Sequence, residues 1–225
     1  MKRVISEMHM EDILIGYGQT EVSPLNHMTL PNDSLERRTE TVGRAVPWVE
    51  IKVIDQSNRV VAIGEKGEIC TRGYSVMREY WNDPERTAET IDEAGWLHSG
   101  DLATMDEEGY VRIVGRIKDM IIRGGENIGC GEVEAALLEH PSVREACVFA
   151  VPDERLGEEV GATICCISPI SEDELRSFLK GHLSAFKIPR YLDFTGTLLP
   201  RTGSGKIFKL EIRKTAIERF IGIHK

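Results

Sequence analysis

Apolar and polar residues alternate at period two over Val49-Glu50-Ile51-Lys52-Val53-Ile54, the pattern of a strand with one buried face. The same reading predicts strands at Val60-Val61-Ala62-Ile63 and Glu68-Ile69-Cys70-Thr71-Arg72, with a turn at Glu65-Lys66-Gly67 between them. Ile13-Leu14-Ile15 is a shorter apolar run that leads into Gly16-Tyr17-Gly18-Gln19-Thr20-Glu21. A strand ending in a glycine-flanked polar turn is where α/β proteins place ligand-contacting groups. Residues 22–47 are polar, carry Pro24, Pro31 and Pro47, and read as loop. Residues 84–91 form a short helix with proline in its first turn, where a missing N–H costs nothing. Strands at 102–105 and 110–114 flank Asp106-Glu107-Glu108-Gly109, a hairpin signal.

Past Gly115 the pattern changes. A strand at 118–123 precedes an amphipathic helix at 131–140 that Pro141 stops, and apolar strands follow at 143–151 and 160–167. Ser171-Glu172-Asp173-Glu174 is a capping box for a helix with Leu175, Phe178, Leu179 and Leu183 on one face. A strand at 191–194 and a closing helix at 207–221, with Leu210, Ile217 and Ile221 inward, complete the chain. Mostly β first, then alternating β and α, predicts a mixed α+β and α/β fold in two units meeting near residues 115–119.

Composition narrows the function classes. With 41% hydrophobic and 29% charged residues the chain can pack a core. A formal net charge of −9 argues against general binding to nucleic acid, which needs a basic face. The five cysteines form no C-x-x-C pair, and the odd count with adjacent Cys165-Cys166 suits free thiols in a reducing cytosol. No apolar run reaches membrane-spanning length. The basic start Met1-Lys2-Arg3 is followed by Glu7, His9, Glu11 and Asp12, which break any signal-peptide core. The expectation is a soluble, cytoplasmic protein.

Three stretches could carry chemistry. Pro200-Arg201-Thr202-Gly203-Ser204-Gly205-Lys206 invites a phosphate-loop reading, but Pro200 and Ile207 break the G-x-x-x-x-G-K-[ST] pattern at both ends. What remains is a glycine loop presenting one lysine before a helix, either a mobile cation for a phosphate or carboxylate or a solvated surface turn. Residues 115–128 lack a dinucleotide fingerprint because Glu126 takes the place of the second glycine. Their Arg116, Lys118 and Asp119 sit at the junction between units, where an ordinary linker with paired charges is the bland alternative. Trp96-Leu97-His98-Ser99-Gly100-Asp101 offers one carboxylate after a tight turn, and His98 reads as a packed or solvated histidine rather than a base.

Taken together and in this order, residues 16–21, 96–101, 115–128 and 200–206 resemble the later signature motifs of the adenylate-forming superfamily, which holds acyl-CoA synthetases, luciferases and peptide-synthetase adenylation domains. The resemblance covers essentially the whole chain. Thr41-Val42-Gly43-Arg44-Ala45-Val46-Pro47 and Arg72-Gly73-Tyr74-Ser75-Val76-Met77 look most like medium- and long-chain fatty-acyl-CoA ligases.

The resemblance implies that residues 1–117 are the C-terminal, β-rich part of a large AMP-binding domain and 118–225 a small mobile C-terminal domain. It implies that Tyr17, beside Gly18, stacks on adenine, that Thr20 bonds the AMP phosphate and that Glu21 holds Mg²⁺. Asp101 would accept both ribose hydroxyls with Arg116 behind it. Lys118 would be the hinge, the Gly124-Gly125 loop would border the pantetheine path, and Lys206 would bridge substrate carboxylate and α-phosphate. The implied reaction activates a fatty acid with ATP as an acyl-adenylate, which the thiol of coenzyme A then attacks to release AMP.

Two local departures stand out: Ser99 where threonine is usual, and Gly129-Cys130 for an aromatic-proline pair, which loosens the start of the next helix. The phosphate-gripping Ser/Thr/Gly-rich loop belongs upstream of residue 1, so this chain by itself is expected to be inactive. Expected partners are a small carboxylic acid, ATP and CoA, with a missing N-terminal segment or a second copy of the chain as macromolecular ones. Expected absences are nucleic acid and a transmembrane segment. The competing readings are an adenylation unit that loads a carrier protein and a non-catalytic adenylate-binding module.

Overall fold

The computed structural model describes residues 2–10 and 12–223, with side chains described for 4–10 and 12–220. The chain divides into two compact units, Met1–Ile117 and Lys118–Lys225. Among the described residues no helix is long and apolar enough to cross a membrane.

The first unit opens with α1 (Lys2–Met8) and a small antiparallel sheet of β1 (Gly16–Tyr17), β2 (His27–Met28) and β3 (Arg44–Ala45). The apolar run at 13–15 is not itself a strand. Its Ile15 N–H is taken by Thr29 Oγ1 (2.8 Å), so the regular ladder begins one residue later, at Gly16. The expected loop at 22–47 also holds α2 (Leu35–Glu40), capped by Ser34 Oγ accepting from Arg37 N–H. The larger sheet is an antiparallel meander of β4 (Val49–Ile54), β5 (Gly67–Gly73), β6 (Leu97–Met105) and β7 (Val111–Arg116), with α3 (Pro84–Thr90) between β5 and β6. Ile69, Ala103 and Val111 are fully buried on one face, and Tyr17, Val42, Ile51, Met105 and Ile113 pack against them. The strand expected at 60–63 does not form. Val60 and Ile63 stay exposed, and only Val60 makes a bridge, to Ile54.

The second unit contains β8 (Met120–Arg123), β9 (Glu126–Gly129), α4 (Cys130–Leu138), β10 (Val143–Asp153), β11 (Gly157–Cys166), α5 (Glu172–Leu179), β12 (Tyr191–Thr195) and α6 (Lys209–Ile223). The long β10–β11 hairpin is its centre, with β12 parallel to β11 along Gly161–Cys165 and β8 joined at Gly157. Period-two alternation splits β10 between two cores. Val143, Ala146, Val148 and Ala150 pack with Val133 and Leu137 of α4 and Leu175 and Leu179 of α5. Cys147, Phe149 and Val151 pack with Ile212, Ala216 and Phe220 of α6. Each fully buried large aliphatic side chain contributes about 1.5–3 kcal/mol, so covering both faces makes this hairpin the unit's main store of stability.

Two expectations for helix faces need correction. Leu210 is not inward but 71% exposed, because the buried arc of α6 runs through Ile212, Ala216 and Phe220, spaced four apart. Ile217 does pack at the edge of that cluster, and the side chain of Ile221 lies outside the described residues. Leu183 is buried in the first core but follows α5, which ends at Leu179. The Gly129 cap of α4 makes no side-chain bond, and Cys130 is buried directly behind it.

Candidate functional site

In the first unit, residues 96–101 do not make a separate turn. Residues 97–101 run along β6, which bulges where its register shifts against both β5 and β7. The bulge is pinned from below: Ser99 Oγ donates to the Ile69 carbonyl (2.6 Å), and Gly100 N–H donates to Glu68 Oε1 (2.8 Å). It presents Asp101, only 3% exposed, to one donor from β1 and one from its cross-strand partner on β7. Tyr17 Oη donates to Asp101 Oδ2 at 2.6 Å, and Arg116 Nε donates to Oδ1 at 2.8 Å. Each carboxylate oxygen thus accepts one bond and keeps a lone pair for another. Burial, and then the Asp101 carboxylate, push the Tyr17 phenol far above its ordinary pKa, which keeps it a proton donor. The Tyr17 ring is half-buried and meets His27 edge-on at 5.7 Å.

Gly18 follows Tyr17 because nothing larger fits: a Cβ there would lie 2.0 Å from the Pro24 carbonyl oxygen. The chain then makes a 3-10 turn over Thr20–Val22, anchored by fully buried Val22. Thr20 is exposed, and Glu21 is half-buried. Glu21 is held at two points, its carbonyl by Met77 N–H (2.8 Å) and its Oε1 by Tyr80 Oη (2.7 Å). Among the described residues Oε2 has no partner. A fixed carboxylate with one free oxygen fits a hard cation such as Mg²⁺. Sequence reasoning missed Tyr80, which no local pattern ties to Glu21.

In the second unit Lys118 is exposed in a 3-10 turn, Ile117–Asp119. The next residue, Asp119, pairs with Lys209 (3.4 Å), which also pairs with Glu134 (3.0 Å). These carboxylates raise the Lys209 pKa against the opposing effect of burial. Lys118, Asp119, Cys130, Lys209 and Arg213 line a cavity of about 260 Å³. Sequence reasoning did not single out Lys209. Gly124 and Gly125 are the two-residue turn of the β8–β9 hairpin, both at positive φ (58° and 91°), a conformation that twists with the strands and favours glycine.

Lys206 stands exposed at the closing end of a short loop. An Arg201–Ile207 bridge, Thr202 N–H to the Lys206 carbonyl (2.8 Å) and Arg201 to the Gly205 carbonyl (2.8 Å) shape it. Glu145 of β10 clasps the loop through Leu199 N–H (2.9 Å) and through Arg201. The Lys206 ammonium has no partner among the described residues.

A meander whose buried Asp101 pairs with an exposed Arg116, and a helix-covered sheet carrying an exposed loop lysine, define the C-terminal region of an adenylate-forming enzyme. One solved structure with this architecture is the o-succinylbenzoate coenzyme A synthetase MenE of Bacillus subtilis in complex with ATP and magnesium. It superposes with a TM-score of 0.79 at 34% identity, over 89% of this chain and 41% of that one. The AMP-binding enzyme family matches residues 1–81, and the AMP-binding enzyme C-terminal domain matches residues 132–206. The putative acyl-CoA synthetase YngI of Bacillus subtilis is 49% identical over 223 residues, 98% of this chain and 40% of that protein. The mitochondrial medium-chain acyl-CoA ligase ACSF2 of Rattus norvegicus is 44% identical over 217 residues, 95% of this chain and 35% of that protein. The chain belongs to the family of AMP-binding, adenylate-forming enzymes, and it spans well under half the length of these relatives.

Proposed function

We propose that these residues are the C-terminal part of an ATP-dependent, AMP-forming ligase that joins a medium- or long-chain fatty acid to coenzyme A. The observation that carries this reading is the Asp101 carboxylate, buried yet with a lone pair left on each oxygen, and held by Tyr17 and Arg116. Such a group accepts from two vicinal hydroxyls, as a ribose offers. Residues 1–117 would supply this pocket as part of the large domain, and residues 118–225 would be the small mobile domain. The Tyr17 ring, beside Gly18, would lie against adenine, a contact available to any purine face. Thr20 would donate to the AMP phosphate. Glu21 would hold Mg²⁺, which when bound supplies charge neutralisation on the phosphates.

A carboxylate is a poor acyl donor, so its activation brings two anions together, and Lys206 would bridge them as the first bond forms. Thiol attack then needs the same space for coenzyme A. Rotation of the small domain about Lys118 would withdraw Lys206 and bring Gly124-Gly125 to the pantetheine path. The five thiols are all free, which suits a reducing compartment, the cytoplasm.

The test is a chimera in which these residues replace the matching stretch of the Bacillus subtilis relative. With ATP, Mg²⁺, fatty acid and coenzyme A it should release AMP and form acyl-CoA. The 225-residue polypeptide by itself should do neither, since no Gly/Ser/Thr-rich loop precedes Gly16 to grip the outer phosphates. A folded chimera that releases no AMP overturns the assignment.

A further inference from the structure

Behind the Asp101 bulge lies a cluster that the ligase reading does not use. Glu68 and Cys70 stand two apart on β5 and so share a face, and the register sets Cys70 directly opposite His98 of β6. This brings a carboxylate oxygen, a thiol sulfur and an imidazole nitrogen to within 4.8 Å of one another. His98 Nδ1 lies 3.1 Å from Glu68 Oε2 and 3.7 Å from Cys70 Sγ. Zinc–ligand bond lengths at tetrahedral angles require about 3.3 Å between nitrogen and oxygen ligands and about 3.6 Å between nitrogen and sulfur. The imidazole nitrogen therefore already stands close to the spacing that one small ion would impose on both of its neighbours.

The surroundings fit the same use. His98 Nε2, on the far side of the ring, faces Asp92 Oδ2 at 3.7 Å. A carboxylate on the second ring nitrogen is the usual outer partner of a metal-bound histidine, since it fixes the ring and raises its basicity. Asp92 is itself set in place, its Oδ1 accepting from Ala94 N–H (3.0 Å) and Trp96 N–H (2.8 Å). Glu68 uses Oε1 to hold Gly100 N–H, which leaves Oε2 for a ligand without releasing the bulge.

We propose that Glu68, Cys70 and His98 form a three-ligand site for a zinc-class divalent cation, with Asp92 as the outer partner of the imidazole. The sulfur excludes Mg²⁺ and Ca²⁺, which take oxygen ligands, and the mixture of sulfur, nitrogen and oxygen with a fourth position for water suits Zn²⁺. Burial pushes the Cys70 thiol up to about 12, so binding replaces its proton, which leaves to solvent as the metal–sulfur bond forms. The site is independent of the ligase assignment. Through Glu68 it abuts the peptide that positions Asp101, so an ion there would stiffen the bulge.

Co²⁺ serves as the probe, because its thiolate complexes absorb in the near ultraviolet. Metal-free protein titrated with Co²⁺ should develop one equivalent of this band, and Zn²⁺ should displace it. Cys70→Ser should abolish the band although the other four cysteines remain, and Asp92→Asn should weaken binding about tenfold or more. Because Cys70 is fully buried, His98→Gln gives a second arm at a partly exposed position, and it should also raise the Co²⁺ dissociation constant at least about tenfold. A missing band in the parent protein, a band retained in Cys70→Ser, or unchanged affinity in folded His98→Gln each overturns the site.

Discussion

Tyr80 donates its hydroxyl to Glu21 Oε1 across 2.7 Å, although 59 residues separate them along the chain. The partnership fixes one carboxylate oxygen and leaves the other without a partner among the described residues. Burial and the Glu21 charge hold the Tyr80 phenol above its ordinary pKa, so it stays a donor. If Glu21 is the Mg²⁺ ligand, Tyr80 is a positioning residue. Tyr80→Phe in the chimera should lower pyrophosphate release roughly tenfold at limiting Mg²⁺, as expected for a hydrogen bond to a charged group. The deficit should shrink as Mg²⁺ saturates. A loss equal at every Mg²⁺ concentration would assign Tyr80 to packing instead.

Lys206→Ala should divide the reaction into two unequal halves. Charge accumulates between substrate carboxylate and α-phosphate only while the adenylate forms. Removing a positioned donor there costs about 10²–10³ in rate. Coenzyme A attack on supplied acyl-adenylate should be largely spared. Pyrophosphate release and thioester formation, measured on the same variant, decide the matter, and equal losses would refute a lysine that serves one step.

A stability prediction concerns Arg123 and Glu159. Glu159 is 1% exposed, and its Oε1 makes no hydrogen bond, although Arg123 lies 2.8 Å and Arg190 3.8 Å away. Oε2 accepts from Val160 N–H (3.3 Å), whereas Oε1 is balanced by charge rather than by a directed bond. Arg123→Ala leaves it buried with only the more distant guanidinium, and should destabilise the second unit by about 3 kcal/mol. Arg123→Met combined with Glu159→Gln should cost less. Urea denaturation of the variants measures both, and a harmless Arg123→Ala would show that Arg190 suffices.

His27 makes stability depend on pH. It is fully buried, Nδ1 lies 3.0 Å from Asn26 Oδ1, and Nε2 has no partner among the described residues. Burial lowers its pKa to about 4 from the ordinary 6.5. Between these values the unfolded chain binds the proton and the folded one does not. Stability is therefore fully present above pH 6.5 and is lost as pH falls toward 4, by about 3 kcal/mol in all. Thermal melts of the wild type and His27→Gln across this window should converge toward the acid end. Parallel curves would mean that His27 does not set the slope.

Elements fixed by their own residues were legible in the sequence. The alternation of β4, the hairpin turn before β7, Pro84 opening α3 and Ser171 capping α5 all act over a few positions. The run at 60–63 misled because its pairing with β4 stops at the Val60–Ile54 bridge and the Val61 N–H bond to the Val53 carbonyl, too little to make a strand. Helix α2 was hidden because its apolar content is a single exposed Leu35. At the candidate site the motifs pointed to Asp101 and Tyr17, but their bond spans 84 residues. Likewise, the meeting of Glu68, Cys70 and His98 depends on the β5–β6 register, which no short stretch encodes.

The Glu145 clasp has a mechanical consequence. Leu199 is buried against Phe149 and Cys147, and both Leu199 and Arg201 are tied to β10, so the loop bearing Lys206 is bolted to the central hairpin of its unit. Such a lysine has no swing of its own beyond the reach of its side chain. To arrive or depart it must carry roughly a hundred residues with it. Its motion is then that of a paddle in solvent, and added glycerol should slow it by friction, whereas extra glycine in the loop should leave it unchanged.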